Sequence, residues 1–299
     1  MAELLKNVAI IGGGMMGTQI ALIATHFGYR VRVFDTDTQA FDNNLEKVRS
    51  HIKARVSEPY IPWDQWPRCI EAINRTTDLQ EALEGAELVI EAVPENLELK
   101  RRVFRELGQI APAGAILATN SSSIPVSRMA ERSGRPELCL NIHFTSPMQG
   151  NYMVDVMGGT KTTPAVLETG LAWVRSLGCL PLTVKKEIPG FCFNRVWRAI
   201  KKETLFLWAN DYADFRDIDR GWMVFSGMKY GPFGLMDTVG LDVVYDIEMF
   251  YYNESKDPKD HPPERLKQKI ERGELGAKTG KGFYTYPNPE YQNPDFLSP

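Results

Sequence analysis

The sequence predicts an α/β protein in which a domain with a mostly parallel sheet is followed by an all-α domain. Three observations carry that prediction. Short apolar runs alternate with amphipathic stretches through the first half, the pattern of βαβ units. A glycine-rich turn joins the first run to the first helix. From Gly190 onward, helical periodicity continues and strand signals nearly vanish. The length agrees, since 299 residues make about two domains at ~150 residues each.

The elements follow in order. Asn7–Ile11 reads as a buried strand, and 14–27 as a helix with Ile20, Ala21, Ile23 and Ala24 among its apolar positions. Arg30–Phe34 is the next strand and 37–56 a long polar helix. Residues 57–68 are rich in Pro and Trp without a clear period and lead into a helix near 66–74. Then come a strand at 87–91, a helix at Leu97–Ile110, and strands at 115–118 and 139–142. A helix at 164–177 carries Pro in its first turn, where proline is tolerated, and Leu180–Val184 is the last strand. Beyond Pro189-Gly190, helices are expected at 191–210, Phe215–Ser226 and 241–252, with 253–263 a polar loop. The boundary is placed near Glu187, giving domains 1–187 and 188–299.

Composition bounds the function. Hydrophobic residues are 43% and charged residues 24%, which excludes a disordered or collagen-like chain. A core can form without disulfide or metal staples, and no metal is expected. The net charge of −3 lacks the basic excess of a protein that mainly grips nucleic acid. Cys69, Cys139, Cys179 and Cys192 are far apart, with no Cys-x-x-Cys pair, which argues against zinc ribbons and thioredoxin chemistry. Their apolar neighbours suggest buried, reduced thiols. No apolar run approaches the ~20 residues that cross a bilayer, and no leader precedes the first strand. The expected address is the cytoplasm, with no membrane partner.

The sharpest local signal is Val8-Ala9-Ile10-Ile11-Gly12-Gly13-Gly14-Met15-Met16-Gly17. It follows a strand, opens a helix, and is followed after a second strand by Asp35. That is the full context of a Rossmann-type dinucleotide site. Gly12 permits the tight turn. Gly14 lets a pyrophosphate approach the backbone at a helix N-terminus, with Met15 and Met16 beside it. Gly17 permits close helix–strand packing. Asp35 stands where a carboxylate binds ribose hydroxyls and repels a 2′-phosphate. Thr36, not Arg, follows, so NAD is favoured over NADP, while the motif alone leaves FAD open.

Among four histidines, His26, His51 and His261 read as structural or exposed. His143 differs because it closes the apolar strand 139–142, and ligands of open α/β sheets lie at the carboxyl ends of strands. Histidine is the residue type suited to proton exchange near neutral pH. Asp155 follows in Met153-Val154-Asp155-Val156-Met157, where an acid among apolar neighbours is costly unless paired. A carboxylate on the second ring nitrogen is what an imidazole base needs; the plainer alternative is a partly exposed edge-strand Asp. Ser122, in Asn120-Ser121-Ser122-Ser123, and Asn194 read singly as a cap or a helix-face polar residue.

Together these residues resemble the L-3-hydroxyacyl-CoA dehydrogenase family over nearly the whole chain. The resemblance rests on the fingerprint, on Glu91-Ala92-Val93-Pro94-Glu95-Asn96-Leu97-Glu98-Leu99-Lys100 and on Thr119-Asn120-Ser121-Ser122-Ser123. It continues through His143-Phe144-Thr145-Ser146-Pro147 and Ile188-Pro189-Gly190-Phe191-Cys192-Phe193-Asn194-Arg195. Gly231-Pro232-Phe233-Gly234-Leu235-Met236-Asp237 and Gly276-Ala277-Lys278-Thr279-Gly280-Lys281-Gly282-Phe283-Tyr284 complete it. It implies NAD as cofactor, His143 as the general base, Asp155 as the carboxylate that orients it, and Ser122 and Asn194 as the polar pair near the substrate oxygen. It places Glu95 and Lys100 on the nicotinamide side of the cofactor site, with Asn120 beside them; without it, Glu95 and Lys100 read as an exposed pair at a helix start.

Two positions depart from the family pattern. Asp155 replaces the usual Glu and is one methylene shorter, so contact with the imidazole calls for a strand shift or an intervening water. Ser146 replaces an amide residue, and Asn151-Tyr152 is more polar than expected. The implied substrate is a short-chain L-3-hydroxyacyl-CoA of fatty acid metabolism, with Lys6, Lys47, Lys53 and Arg55 as phosphate contacts by position only. A homodimer through the helical domain is implied as well. Relatives acting on L-gulonate or carnitine, and the lambda-crystallins, share the scaffold. A free hydroxy acid substrate and a non-enzymatic nucleotide-binding or sensor protein therefore stand as alternatives.

Overall fold

The computed structural model describes residues 5–37, 39–53, 59–145 and 153–298. Arg55, Ser146, Asn151 and Tyr152 lie outside the described residues. The chain divides into two compact units, Met1–Cys192 and Phe193–Pro299.

In the first unit β1 (Asn7–Ile11) leads through the glycine turn into α1 (Met15–His26), β2 (Arg30–Phe34) and α2 (Ala40–Lys53). Next come α3 (Trp66–Ala72), β3 (Asn74–Thr76), α4 (Leu79–Leu83), β4 (Leu88–Glu91), α5 (Leu97–Ile110), β5 (Ile116–Thr119) and α6 (Ser127–Ala130). The unit is completed by β6 (Cys139–Phe144), β7 (Met153–Gly158), α7 (Pro164–Ser176) and β8 (Leu180–Val184). The strands form one sheet in the order β3-β2-β1-β4-β5-β6-β7-β8. Every neighbouring pair is parallel except β6 with β7.

A sheet covered on both faces needs strands apolar on both faces, and the period of two divides their side chains. Val8 and Ile10 of β1, with Leu88 and Ile90 of β4, enter a core also filled from α1, α2, α3 and α7. Ala9, Ile11 and Val89 point the other way, toward Phe104 and Leu107 of α5 and Met129 of α6. Helix α5 is capped by Asn96, whose side chain accepts from Leu99 N at 3.0 Å, and its buried residues are Lys100, Phe104 and Leu107. That i, i+4, i+7 stripe is the inward face of an amphipathic helix.

The second unit contains α8 (Phe193–Ala209), α9 (Phe215–Ser226), α10 (Pro232–Val239), α11 (Leu241–Ser255) and α12 (Glu264–Glu271). Leu205, Met223, Phe233, Met236, Leu241, Val244 and Leu266 form its core with Phe283 and Tyr284 from the C-terminal segment.

Several sequence expectations are corrected. β3 has three polar residues on a sheet edge and leaves no apolar pattern to read. α10 opens on Gly231-Pro232, which reads as a turn, and α12 buries only Leu266. The polar loop expected at 253–263 instead holds the end of α11, through Ser255, and a 3-10 turn at Pro258–Asp260. The strand expected to stop at Ile142 runs to Phe144, so His143 is inside it. Cys192 is exposed, whereas the other three cysteines are buried as expected.

Two fully buried carboxylates organise the helical unit. Asp219 accepts from Phe233 N and Gly234 N, both at 2.9 Å, at the start of α10, and from the Tyr284 hydroxyl at 3.0 Å. Asp237 accepts from Phe283 N at 2.9 Å and Tyr284 N at 2.8 Å. A Cβ on Gly231 would lie 2.4 Å from Asp219 Cγ, and one on Gly282 would lie 2.1 Å from Asp237 Oδ1, so both approaches require glycine. Burial pushes both carboxyls up to about 6, against the hydrogen bonds that favour their charge.

An unfolded Asp titrates near ~3.9, so between that value and about 6 the folded chain holds the extra protons. Stability therefore falls as pH rises through the window. Each carboxyl weakens the helical unit by about 3 kcal/mol above it. Asp260 and Glu274, ion-paired and held down at about 2, add stability that is lost only as pH falls below the unfolded carboxylate range. The urea midpoint of the helical unit, followed by tryptophan fluorescence, is expected to drop between about pH 4.5 and pH 6.5. Asp237→Asn should shrink that drop, and an equal slope in the variant would contradict it.

Candidate active site

The carboxyl ends of β1, β2, β4, β5 and β6 carry the candidate residues. At β1 the turn depends on its glycines. Gly12 has φ +112, and a Cβ there would lie 2.8 Å from the Ala92 carbonyl oxygen. A Cβ on Gly17 would sit 1.8 Å from Gly12 O. Gly14 is different: a Cβ there would meet no atom within 4 Å, so packing does not demand it, whereas a close-approaching diphosphate does. Gly14 is the N-cap of α1 without a side-chain cap, and the first turn holds no acid. The N–H groups of Met15 and Met16 are in the turn that presents unpaired donors and partial positive charge.

Asp35 follows β2. Its Oδ2 accepts from Gly13 N at 2.7 Å and its Oδ1 from Asp37 N at 3.0 Å. The carboxylate is tied to the glycine turn it serves. Beside it lies a cavity of about 260 Å³ lined by Val33, Asp35, Asp37, Phe41, Arg75, Thr76 and Thr77. Glycine turn, helix terminus and acid-lined cavity fit NAD. Two carboxylates here disfavour a 2′-phosphate, and Arg75 is paired with Asp42 at 2.5 Å.

A buried ion pair stands at the end of β4. Lys100 Nζ donates to Glu91 Oε1 at 2.7 Å and lies 3.2 Å from Glu95 Oε2. The side chains of Glu91 and Lys100 are 0% and 1% exposed. Glu91 also accepts from the Thr119 hydroxyl at 2.7 Å and Val93 N at 2.8 Å. Burial pushes its carboxyl up, and Lys100 opposes that. Burial would push Glu95 up too, but Lys100 and the Ser121 and Ser123 hydroxyls reverse the direction and hold it below the usual range. The reading of Glu95 and Lys100 as an exposed pair is thus overturned for Lys100. Glu91 is a site residue that the sequence reading missed. The available signal was a lysine in the same stripe as Phe104 and Leu107.

At β5, Asn120 is committed to the scaffold: its Oδ1 accepts from Phe144 N at 2.8 Å, bracing the strand that carries His143. Ser121 and Ser123 both donate to Glu95, while Ser122 between them is exposed. Asn194 is on the first turn of α8, in the helical unit.

His143 and Asp155 are direct partners across the antiparallel β6–β7 ladder. Such partners have Cβ atoms about 4.5–5.5 Å apart, a gap that an aspartate spans. Nδ1 lies 3.1 Å from Asp155 Oδ2, with the side chains 5% and 1% exposed. Neither the strand shift nor the bridging water invoked for the shorter acid is needed. The carboxylate accepts the Nδ1 proton, which leaves the Nε2 lone pair for chemistry. Asp155 Oδ1 is buried with no hydrogen-bond partner among the described residues. His26 instead packs on Phe27 and Tyr60, and His261 bonds the Pro262 carbonyl.

One edge of the sheet thus offers a dinucleotide cradle, and the same edge holds an imidazole polarised by a carboxylate, which is the class of nicotinamide-dependent dehydrogenases. The comparisons with known proteins give the particular branch. Residues 7–188 match the family model for the NAD binding domain of 3-hydroxyacyl-CoA dehydrogenase, and residues 190–286 match that for its C-terminal domain. The chain belongs to the 3-hydroxyacyl-CoA dehydrogenase family and is an NAD-dependent oxidoreductase. It is similar to the 5-formyl-3-hydroxy-2-methylpyridine 4-carboxylate 5-dehydrogenase of Mesorhizobium japonicum, at 31% identity over 95% of this chain and 91% of that one. A probable 3-hydroxybutyryl-CoA dehydrogenase of Bacillus subtilis is 29% identical over 94% and 98%. Among solved structures, a diketoreductase superposes with a TM-score of 0.84 at 32% identity, covering 95% of this chain and 100% of that one.

Lys100→Met removes the cation paired with Glu91 and strands a buried carboxylate. Breaking such a pair costs roughly 3–5 kcal/mol, so the urea midpoint of the sheet unit should fall accordingly. Lys100→Met with Glu91→Gln should recover part of it. A single variant as stable as the parent would show that the charge is not confined as described.

Proposed function

We propose that this chain oxidises the 3-hydroxyl of a short-chain L-3-hydroxyacyl-CoA to a ketone. The observation that carries this reading is the buried His143–Asp155 pair on the sheet edge that bears the dinucleotide turn. NAD, when bound, supplies the hydride acceptor. His143 Nε2 takes the hydroxyl proton as the C–H bond breaks, and in reduction the imidazolium returns it to the carbonyl oxygen. Asp155 fixes the tautomer and stabilises the imidazolium. Burial of both side chains removes competing water and strengthens the pair. Ser122 and Asn194 are assigned to the substrate oxygen by resemblance alone.

The relatives support the acyl-CoA substrate, since several carry 3-hydroxybutyryl-CoA or hydroxyacyl-coenzyme A dehydrogenase names. We place the protein in the cytoplasm, in fatty acid metabolism; no described helix is long and apolar enough to cross a membrane. We also propose a homodimer through the helical unit. Val243, Ile247 and Phe250 are 41%, 39% and 43% exposed at helical spacing along α11, an apolar stripe of the kind that partner helices cover.

The test follows nicotinamide absorbance with purified protein, NADH and either acetoacetyl-CoA or free keto acids. Turnover is expected with the thioester. Turnover of the free acids alone would overturn the substrate class. His143→Ala should cost roughly 100–10,000-fold in kcat, and Asp155→Asn, which presents an amide to Nδ1, about 10,000-fold at most. Near-normal turnover by a folded His143→Ala protein would remove it as the base.

A further inference from the structure

The imidazole of His143 is held on a second side, by a residue to which neither the resemblance nor the comparisons give a role. The ring of Phe191 lies flat against it, with centroids 4.8 Å apart and planes 7° from parallel. Asp155 grips an edge of the imidazole and Phe191 covers a face. A hydrogen bond to one nitrogen leaves the ring able to tilt about that bond, and a stacked face blocks the tilt.

The backbone at Phe191 is unusual in a way that bears on this contact. Its φ is +52, and that of the preceding Gly190 is +79. A bulky L-residue rarely occupies that region, and strain of this kind persists where the surroundings hold it, often at functional sites. The main cores do not account for it. Phe191 belongs to a small separate cluster with Met157 and Val184, packed by Ile188, where an aliphatic side chain would serve for burial. What the two successive left-handed residues achieve is to deliver an aromatic face, 2% exposed, onto His143. Such a face also favours the cation formed when the imidazole gains a proton.

We propose that Phe191 is a positioning residue whose ring fixes the plane of the His143 imidazole and thereby aims Nε2 at the substrate hydroxyl. The proposal rests on the reading of His143 as the base. It carries a consequence for the chain beyond the site: Pro189-Gly190-Phe191 connects β8 to α8, so the segment joining the two units also sets the attitude of the base.

The test uses the full chain as wild type, Phe191→Leu, Phe191→Met and Phe191→Tyr. Leu and Met keep apolar bulk without a ring, and Tyr restores the ring. Misplacement of a catalytic group by about 1 Å costs up to ~100-fold. Both ringless variants should therefore lose about 10- to 100-fold in kcat. KM for NADH and for acetoacetyl-CoA should stay within about twofold, as expected when only transition-state alignment suffers. Tyr should recover most of the rate. NMR of the His143 carbon-bound ring protons gives a readout that does not need turnover: their ring-current displacement should be lost with Leu and Met and return with Tyr. Melting temperatures separate loss of alignment from loss of fold, and Met, being flexible, covers the case in which Leu packs badly. An active wild type with equally active, folded Leu or Met variants overturns this proposal alone. A fall in kcat that Tyr does not reverse, or one matched by rising KM, also overturns it. A wild type inactive on every substrate overturns the parent reading and this one with it.

Discussion

The site depends on a single cross-strand register. β7 runs against β6, and it does so with His143 opposite Asp155. A slip of β7 by one residue would turn Asp155 to the face opposite His143, leaving a carboxylate and an imidazole buried without each other. Neither is tolerable alone at 1% and 5% exposure, because the desolvation cost of an isolated buried charge exceeds what any one hydrogen bond returns. The register is therefore held both by the pair and by the apolar residues on either side of it. Val154 and Val156 are fully buried and could not be exchanged for Asp155 without exposing the acid to hydrocarbon.

That register also accounts for the shorter acid. The distance between facing Cβ atoms is fixed by the ladder at about 5 Å. An Asp reaching across makes a direct contact of 3.1 Å. The second oxygen, Oδ1, finds no partner among the described residues, which concentrates the carboxylate's hydrogen bonding on the imidazole. The parallel strands β4 and β5 solve a related problem differently. Glu91 ends β4 and meets Lys100 from the helix that follows, while Thr119 on the neighbouring strand supplies a second donor. The pair is then extended to Glu95 and on to Ser121 and Ser123, so two loops along the cofactor edge are tied by one ammonium.

Much of this was legible in the residues. The fingerprint strand and Asp35 obey local steric and electrostatic rules, and their outcome is local too. Strands β1, β2 and β8 and helices α5 and α9 begin and end where periodicity places them, because burial on one or both faces writes a repeat into the sequence. What could not be read is what depends on register between distant segments. From the sequence alone Asp155 could also be an edge-strand acid, and its partner strand decides between the two. Lys100 looked exposed because a charge nominally belongs on the solvent face, although its spacing to Phe104 and Leu107 puts it inside. Phe191 gave no signal at all, since nothing in a Pro-Gly-Phe run announces a left-handed phenylalanine. β3 and α12 escaped for the opposite reason: edge strands and nearly solvated helices bury too little to leave a pattern.

Among the described residues buried acids are met in two ways, by basic side chains or by backbone and hydroxyl donors, and the two ways differ in what they allow a proton to do. In the sheet unit each buried acid faces a basic side chain: Glu91 meets Lys100, and Asp155 meets His143. Each acid there is met by a side chain that carries its own proton-binding nitrogen. In the helical unit Glu248 is ion-paired in the same way, with Lys201 and Arg198, whereas Asp219 and Asp237 are met by backbone N–H groups and by tyrosine hydroxyls. Those donors do not titrate near neutral pH. They pin the start of α10 and the segment 282–286 to one another through fixed dipoles, and burial leaves both carboxyls pushed upward. A group satisfied by backbone has nowhere to pass a proton, whereas an imidazole with a carboxylate on one nitrogen keeps its other nitrogen for the substrate oxygen that the proposed function assigns to it. In the function proposed above, the capacity for acid–base work follows from which kind of donor the fold brings to each buried oxygen, and the donor that acts is the one on the β6–β7 ladder.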